Sequence, residues 1–219
     1  DGADWLDIGG ESTRPGAELI TTQEEMDRVL PIIEALKNTV PISIDTTKGA
    51  VALEAHKLGA TILNDVRGFQ DPDMQEASKV FETAILMHSR GRPSTMQSKT
   101  EYDNVVVNVR DWLIEQIAFC HAKNIVLDPG IGFAKELRHN VELMRHLYIF
   151  AEMDYPIMLG TSRKSFIGQL LNHEHPEQRL AGSLGTIAAA WVQGIRVFRV
   201  HDVKETKDLV NMLQIVSNQ

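Results

Sequence analysis

Three polar residues of this chain share a position that could bring them into one pocket. Asp45, Asn64 and Asp128 each come directly after a short run of apolar residues. Carboxylates accept hydrogen bonds, and a side-chain amide both donates and accepts them. Together these groups match the N–C–N edge of a flat heterocycle such as a pterin or a guanine. The three residues therefore predict a polar pocket for a nitrogen-rich ring.

A second group of side chains supplies positive charge and a hydroxyl group at similar positions. Lys and Arg side chains pair with anions, and the backbone N–H groups at a helix start add further donors. The residues assigned to this group are Arg14, Ser162, Lys164, Arg199 and His201. We therefore predict a cationic pocket for an anion beside the polar pocket for the ring.

Each of these residues also has a simpler interpretation in which it takes no part in chemistry. Asp45 could cap a helix that begins near Lys48, and Asn64 could belong to a turn. The segment that begins at Asp128 could be a plain turn, and Lys164 could be solvated at a helix start. The joint pattern favours a shared site, because nearly every apolar run ends in polar groups of compatible chemistry.

The apolar runs have the features of strands in a parallel sheet. They are short, rich in β-branched residues and only weakly alternating, which is typical of strands buried on both faces. The predicted strands are Asp4–Ile8, Ile42–Ile44, Thr61–Leu63, Ala84–Met87, Ile125–Leu127, Ile157–Leu159 and Arg196–Val200. Strand and helix alternate, and no Gly-rich nucleotide turn is present, so we predict an α/β TIM (β/α)8 barrel. Its strands would end at one catalytic mouth.

The segments between these runs have helical periodicity. Thr22 and Glu25 predict a capping box, and Pro31 predicts a kink in the helix that follows. Further helices are expected over Asn104–Lys123, Asn140–Phe150, Arg179–Gln193 and Lys204–Val216. Because only seven of eight strands are present, we expect the first strand and most of its helix to precede residue 1. Residues 1–219 would then form one N-terminally incomplete barrel domain.

Composition limits the classes of partner and the compartment. The 219 residues include 30 acidic and 22 basic side chains, a formal net charge of −8. This balance argues against a general nucleic-acid or membrane-surface binder. Cys120 is the single cysteine, so no disulfide can form within the chain, and we expect a packed thiol. The sequence shows no signal peptide and no apolar run of about 18 residues that could span a membrane, so we predict a cytoplasmic protein.

Several segments resemble the motifs of the dihydropteroate synthase family. Residues 7–17, Asp-Ile-Gly-Gly-Glu-Ser-Thr-Arg-Pro-Gly-Ala, resemble the family's second-loop signature, and the later motifs follow in the family's order. The resemblance covers the whole chain, and the first segment and the last two are the specific ones. The later segments are 42–46, 63–65, 127–135, 160–168 and 199–203.

The resemblance implies an enzyme that joins 7,8-dihydropterin-6-ylmethyl diphosphate to p-aminobenzoate, with release of pyrophosphate. The residues it places around the pterin are Asp45, Asn64, Met87, Asp128, Gly160, Lys164 and Arg199. Those assigned to p-aminobenzoate are Thr13, Arg14, Pro15, Phe133, Lys164 and Ser165. Those assigned to pyrophosphate are Ser162, Arg199 and His201. Among all of these, the expected catalytic residues are Asp45, Lys164, Arg199 and His201.

The resemblance also implies Mg2+ as a cofactor and a homodimer. The family binds its metal with an asparagine in the loop after the first strand, and these 219 residues contain no counterpart of that segment. No metal ligand is therefore assigned within the chain.

Two other functions remain open at this point. A methyltetrahydrofolate corrinoid-protein methyltransferase would share the pterin-binding barrel, but it has no use for the predicted anion pocket. A pterin-binding homologue without activity is the other alternative.

Overall fold

The computed structural model describes residues 1–14, 16–91 and 95–217 and shows parallel strands alternating with helices. Within these ranges the strands are β1 Leu6–Gly9, β2 Ile42–Asp45, β3 Ile62–Asp65, β4 Thr83–Met87, β5 Asn124–Asp128, β6 Met158–Leu159 and β7 Val197–Phe198. The α-helices are α1 Thr22–Leu36, α2 Gly49–Lys57, α3 Pro72–Ser78, α4 Val105–Ile117, α5 Leu137–Arg145, α6 Leu147–Ala151, α7 Ser165–Leu171, α8 Leu180–Val192 and α9 Val203–Ser217. Two short 3-10 helices are Met96–Ser98 and Pro176–Arg179.

The strands lie side by side in chain order. Strands β1 to β5 form one parallel sheet, β6 pairs with β7, and a bridge between Leu127 and Ile157 connects the two sets. In the described part of the chain, β1 pairs only with β2, and β7 pairs only with β6. All seven predicted strands are present at nearly the predicted places, and consecutive parallel pairing is the arrangement that right-handed crossovers produce.

Side chains on the inner face of the sheet form a small apolar layer. Its members, from or beside six of the strands, are Trp5, Ile62, Ile85, Val126, Met158 and Val197. Successive side chains of a strand point to opposite faces, so the residue two positions further on faces the same interior. The inner layer therefore supports a second layer, which lies at the C-terminal ends of the strands.

The larger hydrophobic core lies between the sheet and the helices. Val29 and Ile33 of α1 and Val109 and Leu113 of α4 are buried against it. Cys120 also belongs to this core, as the sequence predicts, and burial raises the pKa of its thiol to about 11. The helices thus cover the outer face of the strands and leave the strand ends open.

Several helix boundaries differ from the sequence prediction. The predicted capping box is displaced by one residue, because Thr21 and Glu24, instead of Thr22 and Glu25, exchange the capping hydrogen bonds. Pro31 lies inside a single continuous helix α1.

Two of the predicted helices begin or divide at other residues. The helix expected over Asn140–Phe150 is two helices, α5 and α6, which are separated at His146. The segment expected to begin a helix at Arg179 forms a 3-10 turn before α8 begins. None of the helices in the described ranges is long and apolar enough to span a bilayer.

Candidate active site

The second inner layer consists of the polar strand ends that the sequence analysis singled out. Two positions after each member of the apolar layer lie Asp7, Asn64, Met87, Asp128, Gly160 and Arg199. Asp45 belongs to the same layer, because it is paired with Asn64 in the register of β2 and β3. In the same way, Met87 is paired with Asp128 in the register of β4 and β5. Every residue predicted to surround the pterin except Lys164 thus belongs to one ring, and Lys164 reaches it from the loop after β6.

Asp45 and Asn64 each present a buried oxygen atom that has no partner. Asp45 Oδ1 and Asn64 Oδ1 make no hydrogen bond with any described residue. Burial, reinforced by the charge of Asp7, raises the pKa of Asp45 to about 8. A buried acceptor without a partner is costly, so these two atoms mark a place where a ligand supplies donors. The alternative in which Asp45 caps a helix is wrong, since Lys48 precedes α2 at the cap position.

Asp7 and Arg199 connect β1 to β7 across the mouth. The Arg199 Nε group donates to Asp7 Oδ2 at 2.6 Å, and its Nη2 group lies 3.3 Å from Asp45 Oδ2. The Asn64 amide nitrogen lies 3.3 Å from Asp7 Oδ2. Asp7 lies in the first motif that resembles the family, but no role was predicted for it. A charged residue inside an otherwise apolar strand was the signal that could have identified it.

Asp128 and Lys164 form the opposite side of the same pocket. Asp128 is buried, and its Oδ1 accepts a hydrogen bond from the Gly130 N–H at 2.7 Å. Burial raises the pKa of Asp128, while the nearby Lys164 ammonium opposes that shift. Burial also lowers the pKa of Lys164 to about 8, with Asp128 opposing. Lys164 Nζ donates to the Ile131 carbonyl and lies 4.9 Å from the centre of the Phe133 ring.

Ser162 and His201 lie together where the anion pocket is predicted. The Ser162 hydroxyl accepts a hydrogen bond from the His201 N–H at 3.2 Å, and it lies 3.1 Å from His201 Nδ1. Burial lowers the pKa of His201, and the charges of Arg163 and Arg199 act in the same direction. Arg163 itself is paired with Asp202, so its charge is already engaged. Arg199 is paired too, but with Asp7 and Asp45, so Arg199 and Lys164 are the cations that lie against the strand-end carboxylates.

The residues predicted for p-aminobenzoate are only partly brought together. Phe133 and Lys164 are in contact, and Ser165 is exposed at the first residue of α7. Arg14 is exposed, and Thr13 is half-buried in the loop after β1. Pro15 lies outside the described residues.

A cluster that the sequence analysis missed holds the base of this loop. Lys48 lies between the carboxylates of Glu11 and Glu25, and Glu11 also accepts from the Ile20 N–H at 3.0 Å. Both ends of the loop are thereby tied to the residues that follow Asp45. These partners are far apart in sequence, so no local pattern points to the cluster.

The chain is similar to known proteins over nearly its whole length. A family profile described as "Pterin binding enzyme" matches residues 1–201. The dihydropteroate synthase of Escherichia coli K12 is 45% identical over 223 residues, which cover 97% of this chain and 78% of the relative. The chain belongs to the dihydropteroate synthase family. The family that the motifs predict is thus confirmed.

Solved dihydropteroate synthases share the fold over nearly the whole chain. The Yersinia pestis enzyme, crystallised with a sulfonamide drug complex, superposes with a TM-score of 0.93 at 41% identity and covers 100% of this chain and 82% of its own. The Burkholderia cenocepacia enzyme, complexed with 7,8-dihydropteroate, gives 0.91 at 40% identity and covers 99% and 82%. The predicted (β/α) barrel class is confirmed by these neighbours. The enzyme class predicted from the motifs, a dihydropteroate synthase, is the one that the relatives share.

Proposed function

We propose that this dihydropteroate synthase condenses 7,8-dihydropterin-6-ylmethyl diphosphate with p-aminobenzoate through the ring of strand-end residues described above. The observation that carries the proposal is the pair of buried, unpartnered oxygen atoms on Asp45 and Asn64, opposite Asp128. A pterin edge bears several N–H donors, and these are the groups that such acceptors lack. Met87 and Gly160 lie in the same ring, where they would contact the flat faces of the heterocycle.

The reaction breaks the C–O bond between the pterin methylene and the diphosphate. The bond electrons leave with pyrophosphate, and positive charge develops on the methylene and the conjugated ring. Asp45 and Asp128 stabilise that positive charge through the conjugated pterin ring. Arg199, His201 and Ser162 bind the departing pyrophosphate. Preorganised groups of this kind contribute about 2.7–4 kcal/mol each. The amine of p-aminobenzoate then attacks the methylene with its lone pair and loses a proton.

The p-aminobenzoate ring would lie against Phe133, close to Lys164 and Ser165. The loop that carries Thr13, Arg14 and Pro15 would close over it from the β1 side. The Yersinia pestis relative was crystallised with a sulfonamide drug complex, and we expect sulfonamides to compete with p-aminobenzoate in this protein too. No covalent intermediate with the protein is needed, because the amine of p-aminobenzoate attacks the methylene directly.

The Mg2+ that the family resemblance implies remains a proposal. The described residues contain no group of three or more metal-ligating His, Cys, Asp or Glu side chains, so they do not form a metal site on their own. Magnesium is commonly held by substrate phosphates with one or two protein ligands. No step described above passes through it.

We further propose a homodimer in which a second copy covers an apolar groove on α5, α7 and α8. The groove has a volume of about 440 Å3 and is lined mainly by apolar residues, including Met144, Phe166, Ile167, Leu170, Gly182 and Ala189. Leu170 is 52% exposed beside it. The cytoplasmic location, the single domain and the lack of nucleic-acid and membrane partners also remain predictions from the sequence.

A pyrophosphate-release assay with both substrates tests the function. We expect release from the pterin diphosphate that depends on p-aminobenzoate and yields 7,8-dihydropteroate. Pterin binding without release would support a homologue without activity, and methyl transfer from methyltetrahydrofolate would support the methyltransferase. Either result would overturn the proposal. The control is the same assay with Asp45→Ala, in which release should fall to background.

A further inference from the structure

The loop between β5 and α5 carries residues of both substrate pockets and has an unusual backbone. It begins at Asp128, which faces the pterin pocket, and includes Phe133, which faces the p-aminobenzoate pocket. Three of its residues have left-handed backbone angles, with φ of 67° at Gly130, 87° at Gly132 and 50° at Ala134. Glycine adopts such angles readily, but Ala134 does not, so its conformation is held only where surrounding contacts determine it.

The side chain of Lys135 provides these contacts from beneath the loop. Its Nζ atom lies 2.9 Å from the carbonyl oxygen of Gly130, 2.9 Å from that of Phe133 and 2.9 Å from Nδ1 of His88. Lys135 is only 4% exposed, and His88 at the end of β4 is fully buried. The amine has three heavy-atom partners, so its hydrogen-bonding capacity is filled in either protonation state.

His88 and Lys135 pack so closely around Gly130 that no side chain could be added there. A Cβ atom added at Gly130 would collide with the His88 carbonyl oxygen and would lie 3.4 Å from Lys135 Nζ. The His88 N–H also donates to the Asp128 carbonyl oxygen at 2.9 Å. The end of β4 and the head of Lys135 therefore fix the loop together.

Burying an amine costs free energy, and the position of this loop depends on the buried amine of Lys135. Burial holds the pKa of Lys135 well below its ordinary value, although Asp128 opposes that shift. Without the amine, the half-buried Phe133 carbonyl would lose its hydrogen bond from Lys135, and the Gly130 carbonyl would keep only the one from the Phe133 N–H at 3.1 Å. Carbonyl groups left without a partner away from water are rare in folded proteins. The loop would then have to move to reach water, and Phe133 would move with it.

We propose that Lys135, braced by His88, is a positioning residue that fixes Phe133 for p-aminobenzoate and, through Gly130, orients Asp128 for the pterin. This inference rests on the proposed function. The effect should be larger for p-aminobenzoate, because Phe133 lies within the loop, whereas Asp128 is also held by the pairing of β5 with β4.

Steady-state kinetics of Lys135→Met test the proposal, with Lys123→Met, an exposed lysine, as the matched control. We expect the KM for p-aminobenzoate to rise by about tenfold and the KM for the pterin diphosphate by less than about threefold. A merely structural role would lower the active fraction, and with it the apparent kcat, while both KM values stayed unchanged. That outcome, or a Lys135→Met enzyme with the kinetics of Lys123→Met, would overturn the proposal.

A second pair of variants decides the question if Lys135→Met does not fold. His88→Asn can still offer an oxygen to Lys135, whereas His88→Leu cannot. The KM for p-aminobenzoate should rise in His88→Leu and stay near the wild-type value in His88→Asn, and equal values would refute the inference. If the wild-type protein itself releases no pyrophosphate with p-aminobenzoate, the proposed function fails first, which distinguishes the two failures.

Discussion

Lys48→Met removes the cation between two carboxylates at the base of the loop that follows β1. Lys48 Nζ lies 2.7 Å from Glu11 Oε2 and 2.5 Å from Glu25 Oε2. Glu25 is fully buried, and its second oxygen has no partner among the described residues. Methionine has a similar shape to lysine without the charge, so the change leaves both carboxylates in place with nothing to neutralise them.

The expected loss of stability follows from this burial. Removing one partner of a buried ion pair costs about 3–5 kcal/mol, because the remaining charge stays in a medium of low polarity. Lys48 has some access to solvent, with 21% of its side chain exposed, so the lower end of the range applies. A loss of about 3 kcal/mol lowers the Tm by about 6–12 °C in a protein of this size.

Urea and thermal unfolding followed by circular dichroism measure this loss. Lys57→Met is the matched control, because Lys57 is paired with Glu54 at 2.6 Å on an exposed helix surface. Exposed pairs contribute up to about 1 kcal/mol, so the control should stay close to the wild type. The double variant Lys48→Met/Glu25→Gln should recover part of the stability, since it removes a stranded charge. Equal losses in Lys48→Met and Lys57→Met would refute this reasoning.

Three further predictions concern the pocket itself. Lys164→Ala and Arg199→Ala should each lower kcat/KM by at least about tenfold, or about 1.4 kcal/mol, and near-normal turnover in both would remove the assignment of the site. Asp128→Asn should mainly weaken pterin binding, so unchanged affinity by calorimetry would count against its role. Because burial lowers the pKa of Lys164 to about 8, its ammonium is lost above that pH, and kcat/KM should fall as pH rises through this value. Lys164→Arg should remove that fall, and a fall that persists would assign it to another group.

Asp45, Asn64 and Asp128 could be predicted to lie together, because parallel strands bring their C-terminal ends to one edge. Met87 and Gly160 are implied only by the family resemblance, and the two-residue period of a strand places them in the same layer. The same period explains Asp7, since Trp5 lies in the apolar layer and Asp7 follows two positions later. Reading the alternation within each strand, in addition to its end, would have included Asp7 among the predicted site residues.

The supporting contacts could not be predicted, because they join residues that no local pattern relates. Lys135 and His88 are 47 positions apart, and Lys48 and Glu11 are 37 apart. In the sequence, Lys135 and Lys48 could each be an ordinary surface lysine. Only the tertiary packing shows that each is surrounded by hydrogen-bond acceptors. The displaced capping box has a simpler cause: Thr21 and Thr22 are adjacent, and Glu24 and Glu25 offer the same spacing. Local chemistry cannot choose between two such registers.

The charges and unpartnered atoms around the mouth favour a ligand that donates hydrogen bonds. Asp7, Asp45 and Asp128 lie beside Arg199 and Lys164, and burial raises the pKa of both Asp45 and Asp128. Arg199 is shared between Asp7 and Asp45, which leaves one oxygen of Asp45 buried without a donor. A neutral apolar ring would strand that oxygen, and an anion placed there would meet further negative charge. A ring with N–H donors along one edge would satisfy it and leave Arg199, which now holds Asp7 and Asp45, beside the place where the anion is proposed to depart.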